Sequence, residues 1–118
     1  MDEEIKIEEL KERIRKFCEA RDWDKFHNIK DLAVALSIES SELLELFRWK
    51  NPKEVEETLM NRREDIEDEI ADIFYFLLRI AQMNNINLSN ALNRKIEKNE
   101  KKYSIDRFRG SNKKYNEY

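Results

Sequence analysis

The stretch Ile66-Glu67-Asp68-Glu69-Ile70-Ala71-Asp72-Ile73-Phe74-Tyr75-Phe76-Leu77-Leu78-Arg79-Ile80 decides the fold. Ile66, Ile70, Ile73, Leu77 and Ile80 recur at steps of 4, 3, 4 and 3, the period of an amphipathic α-helix. That spacing predicts a helix from beyond Asn61 to Asn84-Asn85. The same rhythm runs upstream, where Ile7, Leu10, Ile14 and Phe17 predict a helix over residues 4–20. Leu32, Leu36, Leu43 and Phe47 predict a second, from Ile29 or Asp31 to Lys50. Asn51-Pro52 stops it, and an asparagine cap with proline just inside the first turn restarts a short helix through Val55 and Leu59. Downstream, Ser89 is a plausible cap for a helix carrying Leu92, Ile96, Asn99 and Tyr103. The expectation is an all-α bundle of four to five helices over residues 1–104, with 105–118 a polar tail that docks, if anywhere, through Phe108.

Composition agrees. Of 118 residues, 42% are charged and only one is glycine, Gly110, beside a single proline. Sandwiches, barrels and Rossmann folds need frequent turns with glycine at positive φ, so they are excluded, as is a phosphate-cradling glycine loop. A domain this small buries only about two-thirds of its unfolded surface and gains from self-association, so a homodimer or homotetramer is expected. Cys18 stands alone in a helical pattern and reads as core. A lone cysteine, no basic-then-apolar leader and no long apolar run point to a cytoplasmic chain that neither is secreted nor enters a membrane.

The net charge of −3 is unevenly spread. Residues 1–93 hold 14 Lys and Arg against 22 Asp and Glu, whereas residues 94–118 hold nine against four, a division of −8 and +5. An acidic body argues against a nucleic-acid partner, while the basic end suits either phosphate or plain solvation. Between the first two helices, Arg21-Asp22-Trp23-Asp24-Lys25-Phe26-His27-Asn28 has no helical stripe. Its large rings must pack on the core or meet a ligand. Phe26 is expected to pack the connection down, and His27 is a possible cap for the helix that follows.

Carboxylates interrupt the apolar faces. Glu39 occupies a position where the stripe through Leu32 and Leu36 calls for an apolar residue, and Glu42 lies one turn on. Three residues turn a helix by about 300°, so the two project within about 60° of each other. Glu69 and Asp72 repeat the arrangement. Four acids near one interior repel each other and each costs several kcal/mol to desolvate. They must be protonated, face solvent, or share a cation. Hard oxygens suit Mg²⁺ or Mn²⁺. A di-iron bundle needs two Glu-x-x-His pairs and zinc needs His or Cys, but the single histidine, His27, is outside these helices.

Glu39-Ser40-Ser41-Glu42-Leu43-Leu44-Glu45-Leu46-Phe47-Arg48-Trp49, followed by Glu69-Ile70-Ala71-Asp72, resembles the E-x-x-E then E-x-x-D signature of the MazG-like all-α nucleoside triphosphate pyrophosphohydrolases. Residues 21–27 are similar to the base-pocket segment of the dCTP pyrophosphatase branch. Lys95, Asn99, Lys102 and Tyr103 are similar to that branch's ending. The resemblance covers residues from about 10 to 104. It implies Mg²⁺-dependent hydrolysis of a (deoxy)nucleoside triphosphate, of the dCTP kind, to monophosphate and pyrophosphate. It makes Glu39, Glu42, Glu69 and Asp72 metal ligands, with Glu39 and Glu42 also in the catalytic set. Trp23, His27 and Trp49 become the base pocket, and Lys95, Asn99, Lys102 and Tyr103 the phosphate contacts. Two departures stand out. Ile38 precedes Glu39 where many members carry a second glutamate, which leaves Glu45 as candidate base, second-metal ligand, or partner of Arg48. Phe76 occupies a position where the branch often has tyrosine. The alternative outside this family is a non-catalytic helical oligomer acting as an interaction module.

Overall fold

A computed structural model describes residues 1–113. These are helical throughout, without a strand among the described residues: α1 Ile7–Ala20, α2 Ile29–Glu45, α3 Pro52–Asn61, α4 Arg63–Met83, α5 Leu88–Lys102 and α6 Ile105–Phe108, with a 3-10 turn, Asp24–Phe26, between α1 and α2. The chain divides into two compact units, Met1–Ile86 and a second that starts at Asn87. Among the described residues no helix is long and apolar enough to cross a membrane.

In the first unit α4 is the central rod, and α1, α2 and α3 each pack on it. Cys18, Leu32, Ile66, Leu78 and Ala81 form the buried core. The expected stripe on α4 is only partly inward. Ile66 is buried, but Ile70 is 51% and Leu77 42% exposed, and both share an outer face with Phe74. The helix is apolar around much of its girth, so it presents one face to the core and a second that the described residues leave exposed.

Local chemistry sets the helix ends. Asn28, not His27, caps α2, its side chain accepting from the Asp31 amide. Asn51 and Glu54 form a reciprocal capping box on α3. α2 stops at Glu45, short of Lys50, because residues 46–48 tighten into three-residue turns (Leu46 N to Leu43 O, Phe47 N to Leu44 O, Arg48 N to Glu45 O). Trp49 then leaves at φ +63°. The other non-glycine residues at positive φ, Asp22 and Asn85, are types that tolerate it. A bulky tryptophan there costs about 1–2 kcal/mol.

In the second unit Asn87, two residues ahead of the expected cap Ser89, caps α5 by accepting from the Asn90 amide. Lys101 and Lys102 in its last turn complement the helix dipole. α6 falls within the expected tail, and its Phe108 is buried, with the Tyr103 ring edge-on at 4.9 Å. The last five residues of that tail lie outside the described residues.

Leu78, 2% exposed, has no room to compensate for truncation. Leu78→Ala should cost about 2–5 kcal/mol and Asn51→Ala about 1 kcal/mol, read as shifts of the urea midpoint.

Candidate active site

The α2–α4 interface carries the acids. Glu39 stands on the buried face of α2, and Glu69 and Asp72 stand one turn apart on α4. One carboxylate oxygen from each lies within 4.8 Å of the other two. Glu39 Oε2 and Glu69 Oε2 are buried and have no hydrogen-bond partner. Burial, reinforced by the carboxylates of Glu42, Asp72 and Glu69, pushes the Glu39 pKa up to about 7. Burial and then Glu42 raise that of Glu69 as well. Glu42 is exposed and outside the trio, yet its charge acts on both. Three of the four expected acids thus converge and the fourth stands beside them. Glu45 turns away to Arg48 Nη1, at 3.5 Å and exposed to solvent. Hard oxygen donors, two of them orphaned and buried, with no His or Cys among them, fit a hard divalent cation.

The aromatic connection is built differently from expectation. Trp23 and His27 come together, ring centroids 6.3 Å apart, and Phe17 braces Trp23 edge-on at 5.6 Å. Phe26 does not pack the turn down: it is 62% exposed under the Lys25 ammonium. The clamp is Arg79 of α4, 1% exposed. Its Nε donates to His27 Nδ1 at 2.9 Å, Nη2 to Asp24 Oδ1 and Nη1 to Gln82 Oε1. Sequence reasoning passed over Arg79, although it is the only charged residue between Asp72 and Arg94. Trp49 does not join Trp23 and His27; it is 88% exposed, with the Arg48 guanidinium 5.3 Å from its ring centre. Tyr75, neighbour of Phe76, pairs its hydroxyl with the buried Cys18 thiol at 3.1 Å.

Lys95, Asn99 and Lys102 lie on α5, and Tyr103 ends it. Their spacing of four, three and one puts them along one side of that helix, in the second unit.

A sequence signature described as the MazG-like family matches residues 34–118. The chain belongs to the MazG-like family. It is 32% identical over 111 residues to dCTP pyrophosphatase 1 of Bos taurus, a match spanning 92% of this chain and 66% of that protein. The Homo sapiens counterpart is 31% identical, over 94% of this chain and 66% of its own length. The match therefore spans just under two-thirds of these curated relatives. A crystal structure of a pyrophosphatase from Archaeoglobus fulgidus DSM 4304 superimposes with a TM-score of 0.79 at 45% identity, covering 82% of this chain and 91% of that one. The all-helical fold is that of the family.

The raised Glu39 pKa has a sign that can be tested. Between the ordinary carboxylate range and about 7 the folded chain holds a proton that the unfolded chain releases, so this group's stabilisation is present at low pH and lost as pH rises through about 7. Without metal, Glu39→Gln should melt above the parent at pH 8, the gap closing toward pH 5. Mg²⁺ at pH 8 should raise the parent and leave the variant nearly unmoved. Identical melts of parent and variant at both pH values would remove the crowding on which this site rests.

Proposed function

We propose that this chain cleaves a pyrimidine deoxynucleoside triphosphate, of the dCTP kind, between the α and β phosphates, releasing the monophosphate and pyrophosphate. The observation that carries the reading is the acidic trio across α2 and α4 with its two unpartnered buried oxygens. The names of the relatives, dCTP pyrophosphatase and pyrophosphatase, support the reaction class and the base.

Glu39, Glu69 and Asp72, with Glu42 alongside, hold Mg²⁺, for which Mn²⁺ substitutes. When bound, the cation offsets triphosphate charge and activates water. Glu39 and Glu42 orient the attacking water toward the α-phosphorus, opposite the bridging oxygen whose bond breaks, and the water's proton passes to a carboxylate. Glu45 is the reserve acceptor: its exposed pair with Arg48 is worth under about 1 kcal/mol and so releases it readily. Trp23 and His27 form the base pocket; Trp49 is assigned to it on residue type and the family resemblance alone, since within this chain it stands apart from them. Lys95, Asn99, Lys102 and Tyr103 are assigned to the β and γ phosphates on the strength of residue type and their one-sided spacing on α5.

A homodimer or homotetramer is the working state. Support comes from the apolar surface that one chain leaves open: Leu44 at 71%, Ile70 at 51% and Trp49 at 88% exposure, beside an apolar groove between α2 and α4 lined by Leu43, Phe47 and Ile66. The compartment in keeping with nucleotide chemistry and a lone thiol is the cytoplasm.

Glu39→Gln and Glu69→Gln should each lower pyrophosphate release from dCTP by about a hundredfold or more with the helical circular dichroism unchanged. Wild-type turnover in both would discard the ligand assignment. Sedimentation equilibrium should return two or four chains per particle, and Leu44→Glu should shift it toward one; a single-chain mass for the parent refutes the assembly.

A further inference from the structure

A buried guanidinium is expensive unless its nitrogens are hydrogen-bonded, and each of the three nitrogens of Arg79 donates to the turn or to its own helix. Asp24 and His27 belong to the connection between α1 and α2, and Gln82 to the next turn of α4, so the plane of the guanidinium is held from both sides. Arginine offers donors only. The ring atom that receives Nε–H must therefore be a lone pair, which leaves His27 Nδ1 without a proton and places the proton of the neutral ring on Nε2. Among the described residues Nε2 makes no hydrogen bond, and the Trp23 ring lies 6.3 Å from the His27 ring, centroid to centroid, at a tilt of 59°.

We infer that Arg79 is a positioning residue that sets the tautomer of His27, so that the base site presents an Nε2–H donor and selects bases by an acceptor atom, a carbonyl oxygen or unprotonated ring nitrogen, at that point. This rests on the base-pocket assignment above. The two charged groups facing His27 are Arg79 from α4 and Asp24 from the turn. Burial first, then the Arg79 charge, lowers the His27 pKa, while Asp24 opposes the shift. The neutral ring is favoured accordingly, since an imidazolium would bring Nδ1–H against Nε–H. An amino group in place of the acceptor would meet Nε2–H donor to donor, and a site built to donate rejects such a ligand by leaving its own polar group unpaired.

His27 is the sole histidine, so its imidazole gives one spin system in long-range proton–nitrogen NMR spectra of the intact, nitrogen-15-labelled chain. The free protein at pH 7 should show the neutral Nε2–H form; an Nδ1–H form, a tautomer mixture or an imidazolium overturns the inference. Adding the α,β-methylene analogue of dCTP, which resists cleavage, with Mg²⁺ should move the Nε2–H proton downfield and perturb the Trp23 indole. If the free protein has the Nε2–H form but the analogue moves neither residue, the base-pocket reading fails and takes the selection of acceptors with it, while the tautomer stands. If the indole moves and His27 shows Nδ1–H, the pocket stands and the inference falls. Arg79→Met should mix the tautomers and raise KM for dCTP roughly tenfold, with kcat falling far less. Retention of the Nε2–H form and of the parental KM in that variant refutes the role of Arg79. The measurements on the parent chain decide the matter where the variant does not fold.

Discussion

Glu39 and Glu69 repel each other across the interface that builds the first unit. α2 reaches the core chiefly by packing on α4, and that packing brings these carboxylates, with Asp72, within 4.8 Å. Burial of Leu32, Ile66 and Leu78 supplies the force, about 1.5–3 kcal/mol for each large aliphatic side chain. The acids work against it, because an unpaired carboxylate in a half-buried place loses hydration that no neighbouring acid returns. The metal-free chain meets this cost by keeping Glu39 protonated up to about pH 7. A divalent cation held by these carboxylates would remove the need for the proton. The fold and the proposed chemistry are thus coupled through one electrostatic conflict, which packing creates and a hard cation resolves.

The legible parts of this structure were those governed by period. A rod of 21 residues with aliphatic residues at steps of four and three announces itself, and α4 runs Arg63–Met83. The acids were legible for the converse reason, since Glu39 breaks a stripe that propensity alone would fill with an aliphatic residue. What sequence could not show depends on neighbours. Spacing does not say how much of a helix's girth its own chain covers, so Ile70 and Leu77 continue the stripe of the buried Ile66 and yet are exposed. The end of α2 is set by turns at residues 46–48, where apolar periodicity runs on through Phe47. Asn87 and Ser89 are both competent caps, and only backbone geometry separates them.

Arg79 is the instructive omission. In a run from Ile73 to Ile86 with no other charge it looks like an intrusion on a core helix, or a side chain that snorkels to water. Two of its three partners, Asp24 and His27, are about fifty residues upstream, in a segment with no period to read. The large rings there suggested that packing by Phe26 anchors the turn; the anchor is instead an ion pair and a hydrogen bond to a buried cation. Non-local polar contacts of this kind leave only one trace in a sequence, a charge where none belongs.

That position on α4 also relates the two halves of the site. Asp72 and Arg79 are seven residues apart, two turns, so they share a face of one helix with about 10 Å between them along its axis. One end of this span carries the carboxylates and the other holds the turn with Trp23 and His27. A single continuous helix has no joint between them, so in the proposed reaction the spacing between the attacked phosphorus and the base would be set by backbone hydrogen bonds of α4. A substrate whose base reaches the turn is thereby registered against the acids, and one that is too short or too long pays for its misfit at the reacting end, where small displacements are most costly. In the proposed reaction, recognition of the base and alignment for attack are consequences of the same rigid rod.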